Sequence, residues 1–131
     1  MIMSSKFILD AYAWIEYILG TKKGLAVRSI LLDKSNRIFT MESNLAEIKE
    51  WCVRQEYDFN IIFPKIRQVS LIVPVILDDW LRAAEIKTDR RKKMKDFGLI
   101  DAVLLAYQEK ARATIVTGDP HFKGIDNVKL L

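Results

Sequence analysis

The sequence predicts an α/β fold with a mainly parallel sheet covered by helices on both faces, and three observations predict it. Short runs rich in β-branched and aromatic residues alternate along the chain with longer stretches of helical spacing. Residues 113–117 read as a buried strand, the kind such a sheet requires. No internal repeat, low-complexity tract or Pro/Gly/Ser linker interrupts the alternation, so one domain is expected over residues 1–131.

A β-prone run at residues 6–9 ends at Asp10. Residues 12–19 place Tyr12, Ile15 and Leu19 at helical spacing, Gly20 and Gly24 punctuate, and a second helix is expected over 25–33. Residues 37–41 read as a strand. A long helix over 43–57 follows, with Leu45, Ile48, Trp51 and Cys52 on its inner face. Residues 59–67 read as a short helix interrupted by Pro64. Residues 69–76 read as a strand that Pro74 confines to a sheet edge or ends early. A helix over 78–86 precedes a basic tract, 99–111 is a strongly apolar helix, 118–120 a turn and 128–131 a last short strand.

Half of the 131 residues are hydrophobic, enough for a continuous core. The apolar run from Phe7 to Leu19 is broken by Asp10 and Glu16 with no small-residue cleavage site after it, so it reads as structure rather than a signal peptide. No stretch approaches the roughly 20 apolar residues of a membrane span. Cys52 is the only cysteine, which rules out an intramolecular disulfide and multi-thiolate zinc sites and suits a reducing cytoplasm. The net charge is +4, but Lys87, Arg90, Arg91, Lys92, Lys93 and Lys95 face only Asp89 within nine residues. Such a tract either holds phosphates or is a solvated surface.

Ligands of open parallel sheets bind beyond the carboxyl ends of the strands, which draws attention to Asp10 and Asp119. Each also suits an ordinary turn or helix start. Asp101 shares a helix face with Leu104 and Leu105. It therefore needs either a cation or the partly solvated first turn of its helix. Glu47 stands three residues after Asn44, the spacing of a capping box, and Glu50 is a rival on the same helix. If four carboxylates converge, two of them about 4 Å apart repel by roughly 4 kcal/mol at an effective dielectric near 20. A hard divalent cation, Mg²⁺ or Mn²⁺, relieves that repulsion and recruits phosphate oxygens, which points to phosphoryl-transfer chemistry.

At these residues the chain resembles the PIN-domain family and, within it, the VapC-type toxins of toxin–antitoxin pairs. The residues that carry the resemblance are Leu9-Asp10-Ala11 with Ile15-Glu16-Tyr17-Ile18-Leu19-Gly20, then Ser43-Asn44-Leu45-Ala46-Glu47, then Ile100-Asp101-Ala102-Val103, and finally Thr117-Gly118-Asp119-Pro120-His121-Phe122. Ala11 and Gly98 depart from the polar residues common at those positions.

The resemblance implies a three-layer α/β/α arrangement with four to five strands, and it selects Glu47 over Glu50. It implies one or two Mg²⁺ or Mn²⁺ ions held by Asp10, Asp101, Asp119 and Glu47. Thr117 would lend a supporting hydroxyl. RNA would be cleaved to a 5′-phosphate and a 3′-hydroxyl, and a homodimer would be inhibited by an antitoxin. Arg90, Arg91, Lys92, Lys93 and Lys95 lead into the Asp101 helix and are the expected RNA contacts. Tyr12, Trp14 and Tyr17 suit base stacking, core or a dimer surface. His121, the only histidine, is expected at the surface, outside the chemistry.

The competing expectations are a non-catalytic PIN-like module that binds RNA or protein, a host RNA-processing PIN nuclease, and a phosphoacceptor signalling domain. The last needs a pair of acids near the first strand, where Asp10 stands alone.

Overall fold

Each expected strand and helix forms in the computed structural model, which describes residues 5–131. The order is β1 (Lys6–Leu9), α1 (Ala11–Leu19), α2 (Lys22–Leu32), β2 (Arg37–Met41), α3 (Glu42–Gln55), α4 (Phe59–Val69), β3 (Leu71–Val73), α5 (Leu77–Arg90), α6 (Leu99–Ala111), β4 (Thr114–Thr117) and β5 (Val128–Leu130), with a 3₁₀ turn at Pro120–Phe122. The five strands hydrogen-bond in the order β3-β2-β1-β4-β5, every pair parallel.

Alternation along the strands builds two cores. Ile8, Phe39, Met41, Val73 and Ile115 pack with α5 and α6 on one face of the sheet. Leu9, Ile38 and Val116 pack with α1 to α4 on the other. Apolar residues on both faces make the chain three-layered and exclude water from the sheet. Trp14 is buried in the second core, where its Nε1 donates to Thr40 Oγ1 at 3.0 Å. That contact assigns Trp14 to packing rather than base stacking. Among the described residues no helix is long and apolar enough to cross a membrane.

Several boundaries differ from expectation: α2 starts at Lys22, capped by Thr21, and takes Gly24 inside it, α3 runs from Glu42 to Gln55, and three more have clear physical reasons. Helix α4 runs through Pro64 without interruption, because Pro64 and Asn60, whose carbonyl loses its partner, both lie on the exposed side where water can serve instead. Strand β3 keeps only Leu71–Val73, ends at Pro74 and sits at the sheet edge. Helix α5 continues to Arg90, since Ala83 and Ile86 keep its buried face in register and Lys87 and Arg90 suit the negative end of the helix dipole.

Candidate metal and nucleic-acid site

The chain leaves β1 toward β2 on one side and returns to β4 on the other, so the order reverses between β1 and β4. A crevice opens there at the carboxyl ends of the strands. Because Leu9 is registered with Val116, the next residues, Asp10 and Thr117, emerge side by side. Asp10 caps α1, its Oδ1 accepting from the Ala13 N–H at 2.9 Å. The Thr117 hydroxyl accepts from the Asp119 N–H at 3.0 Å and lies beside the Asp10 carboxyl, whose pKa it lowers, so it stands between two of the acids.

Glu47 reaches the crevice from the second turn of α3. Met41, not Asn44, is the N-cap of that helix, so the expected capping box does not form. Asn44 instead lies inside the first turn, only 1% exposed, and donates from Nδ2 to Glu47 Oε1 at 2.9 Å. Glu50 carries a different interaction, an exposed pair with Arg54. Asp101 sits in the first turn of α6, near the Gly98 N–H, as its helix-start reading expected. It also faces the other acids, so the two readings coexist.

Electrostatics register the convergence. Desolvation pushes Asp10, 6% exposed, up to about 7; the bonds from Thr117 and Ala13 oppose this, while Glu47 and Asp119 add repulsion. Glu47 is exposed as a residue, yet desolvation of its carboxyl raises its pKa. Asn44 opposes that shift, and Asp101, Glu50 and Asp119 reinforce it. Asp101 is raised by desolvation and then by Asp119, against the bond from Gly98 and the neighbouring His121. Among the described residues no lysine or arginine forms an ion pair with Asp10, Glu47, Asp101 or Asp119.

His121 overturns its surface assignment. The 3₁₀ turn after β4 points its imidazole back into the cluster, with Nδ1 3.4 Å from Asp101 Oδ2 and 3.5 Å from Asp119 Oδ1. Asp101, Asp119 and His121 each bring one ligand atom to within 4.8 Å of the others. Donors of this type and spacing fit a hexacoordinate divalent cation.

Cationic groups connect to the acid cluster through two sets of intervening residues. Arg91 donates from Nε to the Phe97 carbonyl at 2.9 Å, and the Phe97 ring lies 6.4 Å from that of His121, which ties the basic tract to the cluster. Lys93 and Lys95 are exposed there, whereas Lys92 leans toward Asp89. Arg90 points elsewhere, lining a cleft of about 700 Å³ with Arg82, Glu109 and Arg112 that contains none of the four acids. Separately, Lys23 donates to the Tyr12 hydroxyl at 2.9 Å, and the Tyr12 ring lies so close over Gly118, next to Asp119, that a Cβ there would overlap it. The sequence reading named Tyr12 but not Lys23, because the two lie eleven residues apart on different helices.

The PIN domain pattern matches residues 7–128. No curated protein matches the chain by sequence. Among solved structures, Mycobacterium tuberculosis VapC20, described as a Sarcin-Ricin loop cleaving toxin, superposes with a TM-score of 0.76 at 16% identity over 95% of this chain and 98% of that one. A toxin–antitoxin complex from Klebsiella pneumoniae gives 0.71 at 18% identity, with 96% of each chain covered. VapBC2 from Rickettsia felis, bound to a promoter DNA fragment, gives 0.73 at 16% identity over 96% and 97%. At such identities the likeness is one of fold. With the family pattern spanning nearly the whole chain, this protein belongs to the PIN domain family.

Proposed function

We propose that this chain is a metal-dependent endoribonuclease, the toxin of a toxin–antitoxin pair. The observation that carries the reading is four mutually repelling carboxylates, three of them at least partly buried, at the β1/β4 crevice of a PIN domain; among the described residues no lysine or arginine pairs with them, and an exposed basic tract leads into the helix of one. Asp10, Asp101 and Asp119 would hold Mg²⁺ or Mn²⁺, with Glu47 completing the set or orienting a water. Such a cation lowers the pKa of a bound water and offsets charge on the phosphate oxygens.

The remaining work falls to the chain's own groups. The Ala13 N–H holds the Asp10 carboxyl in one orientation, Thr117 favours its charged form, and Asn44 holds Glu47. Lys93, Lys95 and Lys23 would bind backbone phosphates on either side of the scissile one. Water would form a new bond to phosphorus as the P–O3′ bond breaks, losing a proton to Glu47 or solvent while the 3′-oxygen takes one from solvent, which leaves a 5′-phosphate and a 3′-hydroxyl.

The toxin assignment is supported by neighbours described as a toxin and as toxin–antitoxin complexes. A mixed groove of about 470 Å³ between α1 and α4, lined by Tyr17, Ile18, Ile62, Ile66 and Val69 with Lys65 and Gln68, suits an amphipathic segment of an antitoxin. Exposed Ile76, Leu77 and Leu81 at the start of α5 suit a second copy of the chain.

The test is incubation of the purified chain, free of any partner, with labelled single-stranded RNA and Mn²⁺. Cleavage should disappear with EDTA and fall about a thousandfold or more in Asp101→Asn. Equal cleavage by wild type and Asp101→Asn would end the reading.

A further inference from the structure

His121 Nδ1 is shared between two carboxylates rather than bonded closely to one. A good N–H···O bond measures about 2.7–3.2 Å. Nδ1 stands 3.4 Å from Asp101 Oδ2, a hydrogen bond at the long end of the range, and 3.5 Å from Asp119 Oδ1, nearly equidistant from two different acids. Two donors at right angles on one ion with ligand distances of about 2.1 Å lie about 3 Å apart, and donors on opposite sides about 4.2 Å apart. Both observed separations fall between these limits.

The ring is also held. The His121 N–H donates to Asp119 Oδ1 at 2.9 Å, Phe97 packs beside the imidazole, and the next residue, Phe122, is buried in the core. Rotating the ring away would give up the packing against Phe97.

Building on the metal-site reading above, we propose that His121 Nδ1 is a direct ligand of the cation shared with Asp101 and Asp119, and that it biases the site toward Mn²⁺ over Mg²⁺. Imidazole suits first-row transition ions, whereas Mg²⁺ prefers oxygen donors and bound water. His121→Asn places an amide near the Nδ1 position. It therefore keeps an oxygen donor available while removing the ring nitrogen.

The experiment uses the tag-free chain, in which His121 is the only histidine. Mn²⁺-loaded wild type, unlabelled and with ¹⁵N-histidine, is examined by pulsed electron paramagnetic resonance, and Mn²⁺ and Mg²⁺ affinities are measured by calorimetry. The expected result is a nitrogen coupling that changes with the ¹⁵N label and is absent from His121→Asn. The ratio of Mn²⁺ to Mg²⁺ affinity should fall about tenfold in that variant. Mn²⁺ bound with no histidine coupling and an unchanged ratio would overturn the proposal while leaving the carboxylate site intact. Failure of wild type to bind either ion would overturn it together with the metal-site reading.

Discussion

The antiparallel pair α5 and α6 shelters a carboxylate at each end and treats the two in opposite ways. At one end Asp79 is 4% exposed and Lys110 reaches it at 2.8 Å, with Arg82 and Glu109 forming a bidentate pair nearby. At the other, Asp101 gathers with Asp119, Glu47 and Asp10, and among the described residues His121 is the only potentially cationic side chain paired with them. Sheltered carboxylates ordinarily recruit a counter-charge from the same chain, as Asp79 does. The strand-end cluster departs from that rule, so its balance has to come from protons or from an external cation.

The contrast can be broken by pH. In the metal-free protein Asp10 titrates near 7 against an ordinary value of 3.8, so the folded state holds a proton that the unfolded chain has released between those values. Stability present below about pH 4 is therefore lost as pH rises to about 7, by about 4 kcal/mol. Urea melts of EDTA-treated protein should show this decline. Asp10→Asn, which keeps the helix cap, should flatten it, and Mn²⁺ should restore the lost stability to wild type.

Removing the internal counter-charge sharpens the other side. Lys110→Ala should destabilise the fold by about 2 kcal/mol, the partial exposure of the lysine moderating the loss, and Mn²⁺ should not rescue it. Rescue by Mn²⁺ would mean that both ends behave alike. A smaller effect is expected from Asn44→Ala, which frees Glu47 and should lower RNA cleavage about tenfold with little change in melting temperature. Losses of activity and stability in parallel would make Asn44 a packing residue only.

The same comparison shows what was legible in the chain. The order of strands and helices was readable because Gly20, Pro74 and Asp10 mark ends where backbone geometry leaves few options. Strand-end position drew attention to Asp10 and Asp119 and an apolar helix face to Asp101, while the resemblance joined them into one expected site and chose Glu47. Spacing alone left Glu47 level with Glu50, since a distance of three residues cannot tell a cap from a side-chain pair inside the first turn. Asn44 shows that ambiguity: its helix starts one residue earlier than expected, at Glu42, and the amide turns from the backbone to Glu47.

His121 was missed for a different reason. A histidine two residues past a strand-end acid is uninformative until the turn type is known, and only a 3₁₀ turn anchored by buried Phe122 brings its ring back onto Asp101, twenty residues away. The Asp119-Pro120 dipeptide was the available hint of that turn. Lys23 meets Tyr12 only because α1 and α2 pack closely at Gly24, where a Cβ would strike the Glu16 carbonyl. Such contacts are set by tertiary packing, which no local pattern encodes.

The most direct test of the uncompensated cluster is the proton balance of metal binding, obtained by titrating Mn²⁺ into the chain at pH 6 in buffers of different ionisation enthalpy. Metal ligands must be deprotonated, so with Asp10 titrating near 7 the account predicts release of roughly one proton per ion, lost in Asp10→Asn. Tight Mn²⁺ binding without proton release, unchanged by that substitution, would contradict it.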